Sequence, residues 1–229
     1  MSEGSKSVVA IDTSGSFCSI AVRVGDGSVT ALSSPGSGDH FEQLPRMLQR
    51  VYSDANLPLA SLSEIRIGIG PGSFTGLRIG MSFAKGLAWS SRVPLVGCSS
   101  LAGVAAAVMA RDESVRRVVV VADARRDEVF AAVYERGAPV QEAISPCIVP
   151  VSQLFHAPWS NVGTSWASPQ RDFGIPGLPI TPEHDAAKGL LFLPGGAAKD
   201  FSLNEIAVLE PTYLRAVAAK TIEERRLGT

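Results

Sequence analysis

A glycine-rich segment between a predicted strand and a predicted helix constrains the fold of this chain more than any other feature. The segment is GIGPGSFTGLRIG and spans residues 68–80. The apolar run from Ile65 to Ile69 indicates a buried strand, and the residues from about Thr75 to Trp89 indicate a helix. Glycine lets the backbone turn sharply or approach another backbone closely. A tight strand-to-helix turn of this kind is typical of an α/β fold.

The rest of the chain alternates short buried runs with amphipathic helices. Val8–Ile11 is typical of a central strand, and Gly25–Gly27 separates two further predicted strands as a hairpin turn would. Apolar residues from Phe41 to Ala55 recur every three or four positions, which predicts a helix with Pro45 in its second turn. Residues 94–96, 118–122 and 129–134 are also predicted strands, and residues 101–109 a helix. A strand, a polar turn and a second strand thus occur in both halves, which indicates a duplicated architecture.

The glycine-rich segment has two interpretations, and both stay open on sequence alone. Backbone amides at such a turn can hold a phosphate at a helix N-terminus, and a polar strand end elsewhere can contribute to the same site. The residues that would form it are Asp12, Thr13, Ser14, Gly70, Gly72 and Ser73. The segment lacks the lysine of a P-loop and the acidic residue that a dinucleotide fold places about 20 positions later. The alternative is a turn that needs glycine only for its backbone geometry.

Small residues also form a stripe along the helix that follows the turn. They are spaced four apart, at Gly76, Gly80, Ala84 and Ala88. Such a stripe lets another helix approach closely. The second helix could belong to this chain, as the helix from His40 to Tyr52 does, or to another subunit that contacts both helices.

Composition excludes several classes of protein. The 229 residues are 45% hydrophobic, so the chain can bury a core, and the net charge of −1 argues against a general nucleic-acid binder. Cys18, Cys98 and Cys147 have no paired spacing and fit a reducing compartment. The polar start of the chain and the short run at 8–11 predict no signal peptide, and no apolar stretch is long enough to span a membrane. We therefore expect a cytoplasmic protein without membrane contact.

The chain has few candidates for catalytic or metal chemistry. Its histidines are isolated, and no cysteine pair has the spacing of zinc ligands, so no metal site is predicted. Ser73 lacks the flanking pattern of a nucleophile elbow, and no catalytic residue is assigned. The charged run from Asp123 to Glu128 is typical of a salt-bridged rim at a strand end.

Five segments of the chain form a recognisable set of motifs: VAIDTS at 9–14, GPGSFTGLRIG at 70–80, DAR at 123–125, EVF at 128–130 and EPTYLR at 210–215. His40 and the Leu44–Pro45 pair in the first helix belong to the same set. Together these motifs resemble those of the TsaB (YeaZ) family, in the right order and over nearly the whole chain.

This resemblance implies a fold and a function. The fold would be two ribonuclease-H-like halves of the actin, sugar-kinase and Hsp70 type, here residues 1–110 and 111–229, with the segment near 211–220 a candidate to pack back on the first half. The function would be that of a non-catalytic partner of TsaD. That complex forms threonylcarbamoyladenosine (t6A) beside the anticodon of tRNAs that read ANN codons. TsaE and tRNA would be met only through the complex.

The resemblance also implies how the partner docks and what the chain lacks. The two helices would pack on their counterparts in TsaD, with the interface formed by His40, Leu44, Leu48, Gly76, Gly80, Ala84 and Ala88. On that hypothesis Gly80→Leu or Ala84→Leu abolishes the heterodimer and leaves the monomer folded. Without TsaD the same face would form a homodimer.

Cofactors follow from the same comparison. TsaD-like proteins bind metal through a His-x-x-x-His pair, whereas this chain has His40 followed by Leu44. We therefore expect no cofactor on the isolated chain, and ATP or ADP only at an interface with TsaD. The competing hypotheses are an ATP-dependent phosphotransferase or ATPase of the same fold and, more distantly, a metallopeptidase.

Overall fold

The computed structural model describes residues 6–35, 40–159, 165–167, 186–194 and 201–214. The strands are β1 (Ser7–Asp12), β2 (Phe17–Val24), β3 (Val29–Pro35), β4 (Leu62–Gly68), β5 (Leu95–Cys98), β6 (Arg117–Arg125), β7 (Glu128–Glu135), β8 (Gln141–Pro150) and β9 (Ser165–Ala167). The helices are α1 (His40–Asp54), α2 (Phe74–Ser91), α3 (Ser100–Arg111), α4 (Ala186–Leu190) and α5 (Leu203–Val208). Short 3₁₀ turns lie at Leu59–Ser61 and Val151–Phe155. The prediction of an α/β fold is confirmed.

The first sheet has β1 at its centre, in the order β3-β2-β1-β4-β5. β1 pairs antiparallel with β2 and parallel with β4, and β5 continues the parallel side. Val9 and Ile11 face one side of the sheet while Ala10 faces the other, as the two-residue period of a strand requires. Because β1 is covered on both faces, its end carries Asp12 and Thr13 into the protein interior.

The second sheet repeats this pattern with one strand fewer. Its order is β8-β7-β6-β9, with β6–β7 and β7–β8 antiparallel and β6–β9 parallel. The hairpin turn from β6 to β7 is therefore the topological counterpart of the turn from β1 to β2. This repetition agrees with the echo of strand, polar turn and strand in the sequence, while the proposed boundary near residue 111 stays a prediction.

The helices form layers on the sheets. α1 and α2 cover one face of the first sheet, where Leu44, Val51 and Ala84 join the largest buried cluster. α3 packs against both sheets, since Ala106 joins the core of the first sheet and Val104 joins that of the second. α3 and α4 cross in close backbone contact, because a Cβ on Gly189 would lie closer than 3.0 Å to the Gly103 carbonyl oxygen.

Arg66 on β4 joins the segment after α4 to the first sheet. Its side chain is almost fully buried and its Nη1 donates to the carbonyl oxygens of Leu190, Leu191 and Leu193 at 3.1, 3.1 and 2.5 Å. Its Nε donates to Glu64 Oε1 at 2.6 Å. The Leu190 carbonyl oxygen also accepts from the Leu193 amide, and that of Leu191 accepts from Arg23 Nη1. Among the described residues, Arg66 is therefore the donor on which the Leu193 carbonyl oxygen depends.

Arg66→Met is expected to lower the free energy of unfolding by about 2–3 kcal/mol, because several hydrogen bonds from a charged donor are lost and the Leu193 carbonyl oxygen is left without its donor among the described residues. Urea denaturation measures the change. Arg50→Met is the matched control, since the Arg50 pair with Asp54 is exposed and should contribute less than about 1 kcal/mol. Equal losses in the two variants would contradict this role for Arg66.

Sequence periodicity located most strands and helices but missed four elements in the second half. β8, β9 and α4 were not predicted. α5 was also missed, and its buried Ile206 packs on the α1–α2 side of the first sheet. Among the described residues, no helix combines the length and apolar character needed to cross a membrane.

Candidate functional site

The end of β1 meets the glycine-rich turn at the N-terminus of α2. Thr13 Oγ1 donates to the Gly76 carbonyl oxygen at 2.7 Å, and the Ser73 amide donates to the Ser14 carbonyl oxygen at 2.7 Å. The Ser73 hydroxyl caps α2 by accepting from the Gly76 amide. The structure therefore brings together the two sequence segments that formed the predicted nucleotide site.

The glycines of this turn are in contact with the chain itself. A Cβ on Gly72 would lie closer than 3.0 Å to the Ser14 carbonyl oxygen, and one on Gly76 would lie equally close to the Thr13 carbonyl oxygen. Gly70 has φ of +104°, which favours glycine. The space between the turn and the end of β1 is filled by Thr13 and Ser14, so close backbone packing accounts for the glycines.

Asp12 lies at the centre of this contact and is fully buried. Its Oδ1 accepts from the Ser14 amide at 3.0 Å and from the Ser14 hydroxyl at 2.7 Å. Its Oδ2 is also buried and accepts no hydrogen bond from the described part of the chain, and it lies close to where a Cβ of Gly68 would be. Burial raises the pKa of the Asp12 carboxyl, and the hydrogen bonds from Ser14 offset only part of this effect.

Asp12→Asn is expected to raise the free energy of unfolding at neutral pH. A pKa raised by folding means that the protonated form is favoured in the folded chain. This stabilisation is fully present below the ordinary value of 3.8 and is lost as pH rises through the folded pKa. The amide stays neutral and can still accept from Ser14, so wild type and variant should converge in acid and diverge at neutral pH.

Urea denaturation across this pH range tests the prediction, and Asp26→Asn is the control of opposite sign. Asp26 is exposed and the Ser28 amide lowers the pKa of its carboxyl, so its replacement should lower stability at neutral pH. A loss of stability at neutral pH in Asp12→Asn would contradict the prediction.

Six of the seven residues predicted to form the partner interface are buried within this chain. Leu44, Leu48, Ala84 and Ala88 belong to the buried cluster beneath α1 and α2. Gly76 is buried against Thr13, and a Cβ on Gly80 would lie closer than 3.0 Å to Thr13 Oγ1. His40 begins α1, and its side chain lies outside the described residues.

This placement corrects one expectation. Gly80→Leu and Ala84→Leu were expected to leave the monomer folded, but both sites are filled by neighbouring groups of the same chain. The small-residue stripe is therefore explained by packing of α2 against β1 and the core.

The opposite face of α2 is open to solvent and partly apolar. Trp89 is 65% exposed and Phe74 is 43% exposed. Ser82 is exposed between them, and a Cβ on Gly86 would meet no atom within 4 Å. We call the residues Phe74, Arg78, Ser82, Gly86 and Trp89 the outer face of α2.

The segment from α5 to Tyr213 runs along α2 and the glycine-rich turn. Lys85 Nζ donates to the Ala207 carbonyl oxygen at 3.0 Å, and the Thr212 amide donates to the Ile69 carbonyl oxygen at 2.7 Å. The Tyr213 ring lies 5.2 Å from the Phe74 ring, at the end of the outer face. Residues 209–213 thus pack against the first half of the chain, on the side of the first sheet. Of the segment near 211–220 that was predicted to pack there, residues 215–220 lie outside the described residues.

The turn from β6 to β7 differs in character from the turn from β1 to β2. Arg125, Arg126 and Asp127 have φ of 67°, 57° and 57°, a left-handed conformation that non-glycine residues adopt rarely. Both arginines are exposed. Bulky charged side chains thus lie at the topological counterpart of the β1–β2 turn.

Among the described residues, no group of three or more metal-ligating side chains is found. His156 lies in the described part, whereas His184 does not. Burial raises the pKa of the Cys18 thiol to about 12, so this thiol is not an activated nucleophile.

Sequence reasoning missed the outer face of α2 because it followed the small residues. A helix rotates 100° per residue, so Ser82, Gly86 and Trp89 project to the side opposite Ala84. This rotation follows from the sequence positions alone, so the outer face could have been predicted. The contact between Phe74 and Tyr213 could not, because it joins residues that are far apart in the chain.

A family model, curated relatives and solved structures all indicate related families for this chain. Residues 35–177 match the family model of TsaD, described as tRNA N6-adenosine threonylcarbamoyltransferase. The chain is 34% identical over 167 residues to the Escherichia coli tRNA threonylcarbamoyladenosine biosynthesis protein TsaB, covering 69% of this chain and 71% of that protein. It is similar to the structure of YeaZ from Pseudomonas aeruginosa, with a TM-score of 0.70 and 26% identity over 91% of this chain and all of that one. A second Pseudomonas aeruginosa structure, described as similar to peptidase YEAZ, has a TM-score of 0.72.

Proposed function

The chain belongs to the TsaB family of tRNA threonylcarbamoyladenosine biosynthesis proteins, and from this premise we propose that it acts as the non-catalytic docking subunit of a TsaD-type threonylcarbamoyltransferase. In this role it contributes a binding surface, and the partner carries the chemistry. The role in t6A biosynthesis comes with the family. The docking role rests on the surface described above.

The observation that carries the proposal is the outer face of α2. Trp89 and Phe74 expose large apolar side chains on a helix whose other side is fully packed. The open surface at Gly86 lets a partner helix approach closely between them. Tryptophan and arginine are enriched among residues that dominate binding energy, and this face contains both. The partner helices therefore dock on the outer face, together with the exposed side of α1.

Two features support the absence of catalysis by the chain alone. The glycine-rich turn is filled by Thr13 and Ser14, and the β6–β7 turn has arginines where a phosphate would pass. ATP or ADP, if used, would be held at the interface with TsaD, where both chains can contribute residues.

The same proposal also predicts how this chain meets TsaE, tRNA and a second copy of itself. TsaE and tRNA are met through the complex, in the cytoplasm where tRNA is modified. In the absence of TsaD the outer face is unpaired, so a second copy of this chain can occupy it.

Equilibrium binding to the TsaD protein of the same organism tests the proposal, with titration calorimetry as the measurement. We expect a stoichiometric complex, and no tight binding of ATP by the isolated chain. ATP binding by the isolated chain that Asp12→Ala abolishes would instead favour the phosphotransferase or ATPase. Bound metal in the purified chain would favour the metallopeptidase.

A further inference from the structure

Arg78 lies in an exposed cluster with two aromatic rings at the N-terminal end of α2. Its guanidinium carbon lies 3.9 Å from the centre of the Phe74 ring, and its Nε donates to the Tyr213 hydroxyl at 3.3 Å. The Phe74 and Tyr213 ring centres are 5.2 Å apart with an interplanar angle of 41°. We call these three residues the Arg78 cluster.

The cluster holds an arginine in place without neutralising it. Stacking on Phe74 fixes the plane of the guanidinium, and Tyr213 fixes its direction within that plane. Among the described residues, Arg78 forms no ion pair and its terminal nitrogens have no acceptor. Holding a long side chain in one conformation costs entropy, and a preorganised side chain has already lost that freedom before a partner binds.

We propose that Arg78 is the polar anchor of the outer face and that its two terminal nitrogens bind a carboxylate of the TsaD-type partner. Guanidinium and carboxylate form two parallel hydrogen bonds, which give orientation as well as affinity. The inference rests on the proposed function, because it assigns a residue to the same docking surface. Tyr213 and Phe74 are positioning residues that act through Arg78.

A protein carboxylate fits this cluster better than an RNA phosphate for two reasons. Arg78 is continuous with the apolar outer face, since Ser82, Gly86 and Trp89 follow it on the same side of α2. The chain has 21 basic and 22 acidic residues and so lacks the excess of positive charge that binding to the RNA backbone uses. An aromatic and apolar surface with one fixed arginine is typical of a protein–protein contact.

Titration calorimetry of the complex with Arg78→Lys tests the proposal. Lysine keeps the charge but cannot stack or form the two-pronged contact, so we expect the Kd for TsaD to rise about tenfold. Tyr213→Phe should raise it by a smaller factor, because the hydrogen bond to Nε is lost. Affinity should also depend less on salt in Arg78→Ala than in the wild type. Arg116→Lys, at an exposed arginine just before β6, is the matched control and should bind like the wild type.

Charge reversal identifies the partner group. Arg78→Glu should abolish binding, and exchanging the partner's carboxylate for arginine should restore it. Normal affinity for TsaD in Arg78→Lys and Arg78→Ala would overturn the proposal while leaving the docking function intact. Normal affinity for TsaD with weakened tRNA binding by the complex would overturn it in favour of an RNA contact. No TsaD binding by the wild-type chain would overturn both the inference and the proposed function.

Discussion

Gly80→Leu is expected to unfold the chain or to lower its free energy of unfolding by about 3–5 kcal/mol. The added side chain collides with Thr13, which is buried and donates to the Gly76 carbonyl oxygen, so both packing and a buried hydrogen bond are lost. A domain of this size has only about 5–15 kcal/mol of stability to lose. Thermal unfolding followed by circular dichroism measures the effect in the absence of any partner.

Gly86→Leu on the same helix is the matched control. A Cβ at Gly86 meets no atom within 4 Å, so this variant should fold like the wild type, with a small gain from better helix propensity. A folded, stable Gly80→Leu monomer would contradict the internal role of the small-residue stripe.

Gly86→Arg is expected to remove binding to TsaD and to leave the fold intact. The new side chain projects from the centre of the outer face, between Ser82 and Trp89, where a partner helix must approach closely. We expect the Kd to rise about 100-fold or more, as for a bulky charge at the centre of an interface. Sedimentation velocity of the mixed proteins measures the loss of complex.

Ala110→Arg is the control for added charge, because Ala110 is exposed near the end of α3, away from α2. It should bind TsaD with wild-type affinity. If Gly86→Arg also bound with wild-type affinity, the outer face of α2 could not be the docking surface.

Local sequence patterns were enough to locate the strands and helices around the site. The β-branched run before Asp12 favours a strand, and the glycines after Gly68 permit a turn that other residues adopt only with strain, so both elements could be placed. The repeated pattern of strand, polar turn and strand also had a physical basis, since the four strands of the second sheet follow the order of four strands in the first.

The contacts that decide function were not local. Gly80 was predicted to be an interface residue because the four-residue spacing of small side chains along α2 indicates that another group approaches closely. The spacing does not tell whether that group belongs to the same chain. The group that approaches Gly80 is Thr13 of the same chain, and the pairing of β1 with β4 brings Thr13 beside α2. Tyr213 reaches Phe74 and Arg78 across more than a hundred residues of sequence, so no periodicity could indicate the Arg78 cluster.

Reconstitution of t6A synthesis tests the central claim most directly. The assay contains TsaD, TsaE and the enzyme that makes threonylcarbamoyl-AMP, with tRNA as substrate and mass spectrometry of the nucleosides as the measurement. We predict that t6A forms with the wild-type chain, and that none forms without it or with Gly86→Arg in its place. Equal t6A formation without the chain would contradict the docking function, and full activity of Gly86→Arg would contradict the outer face of α2 as its site.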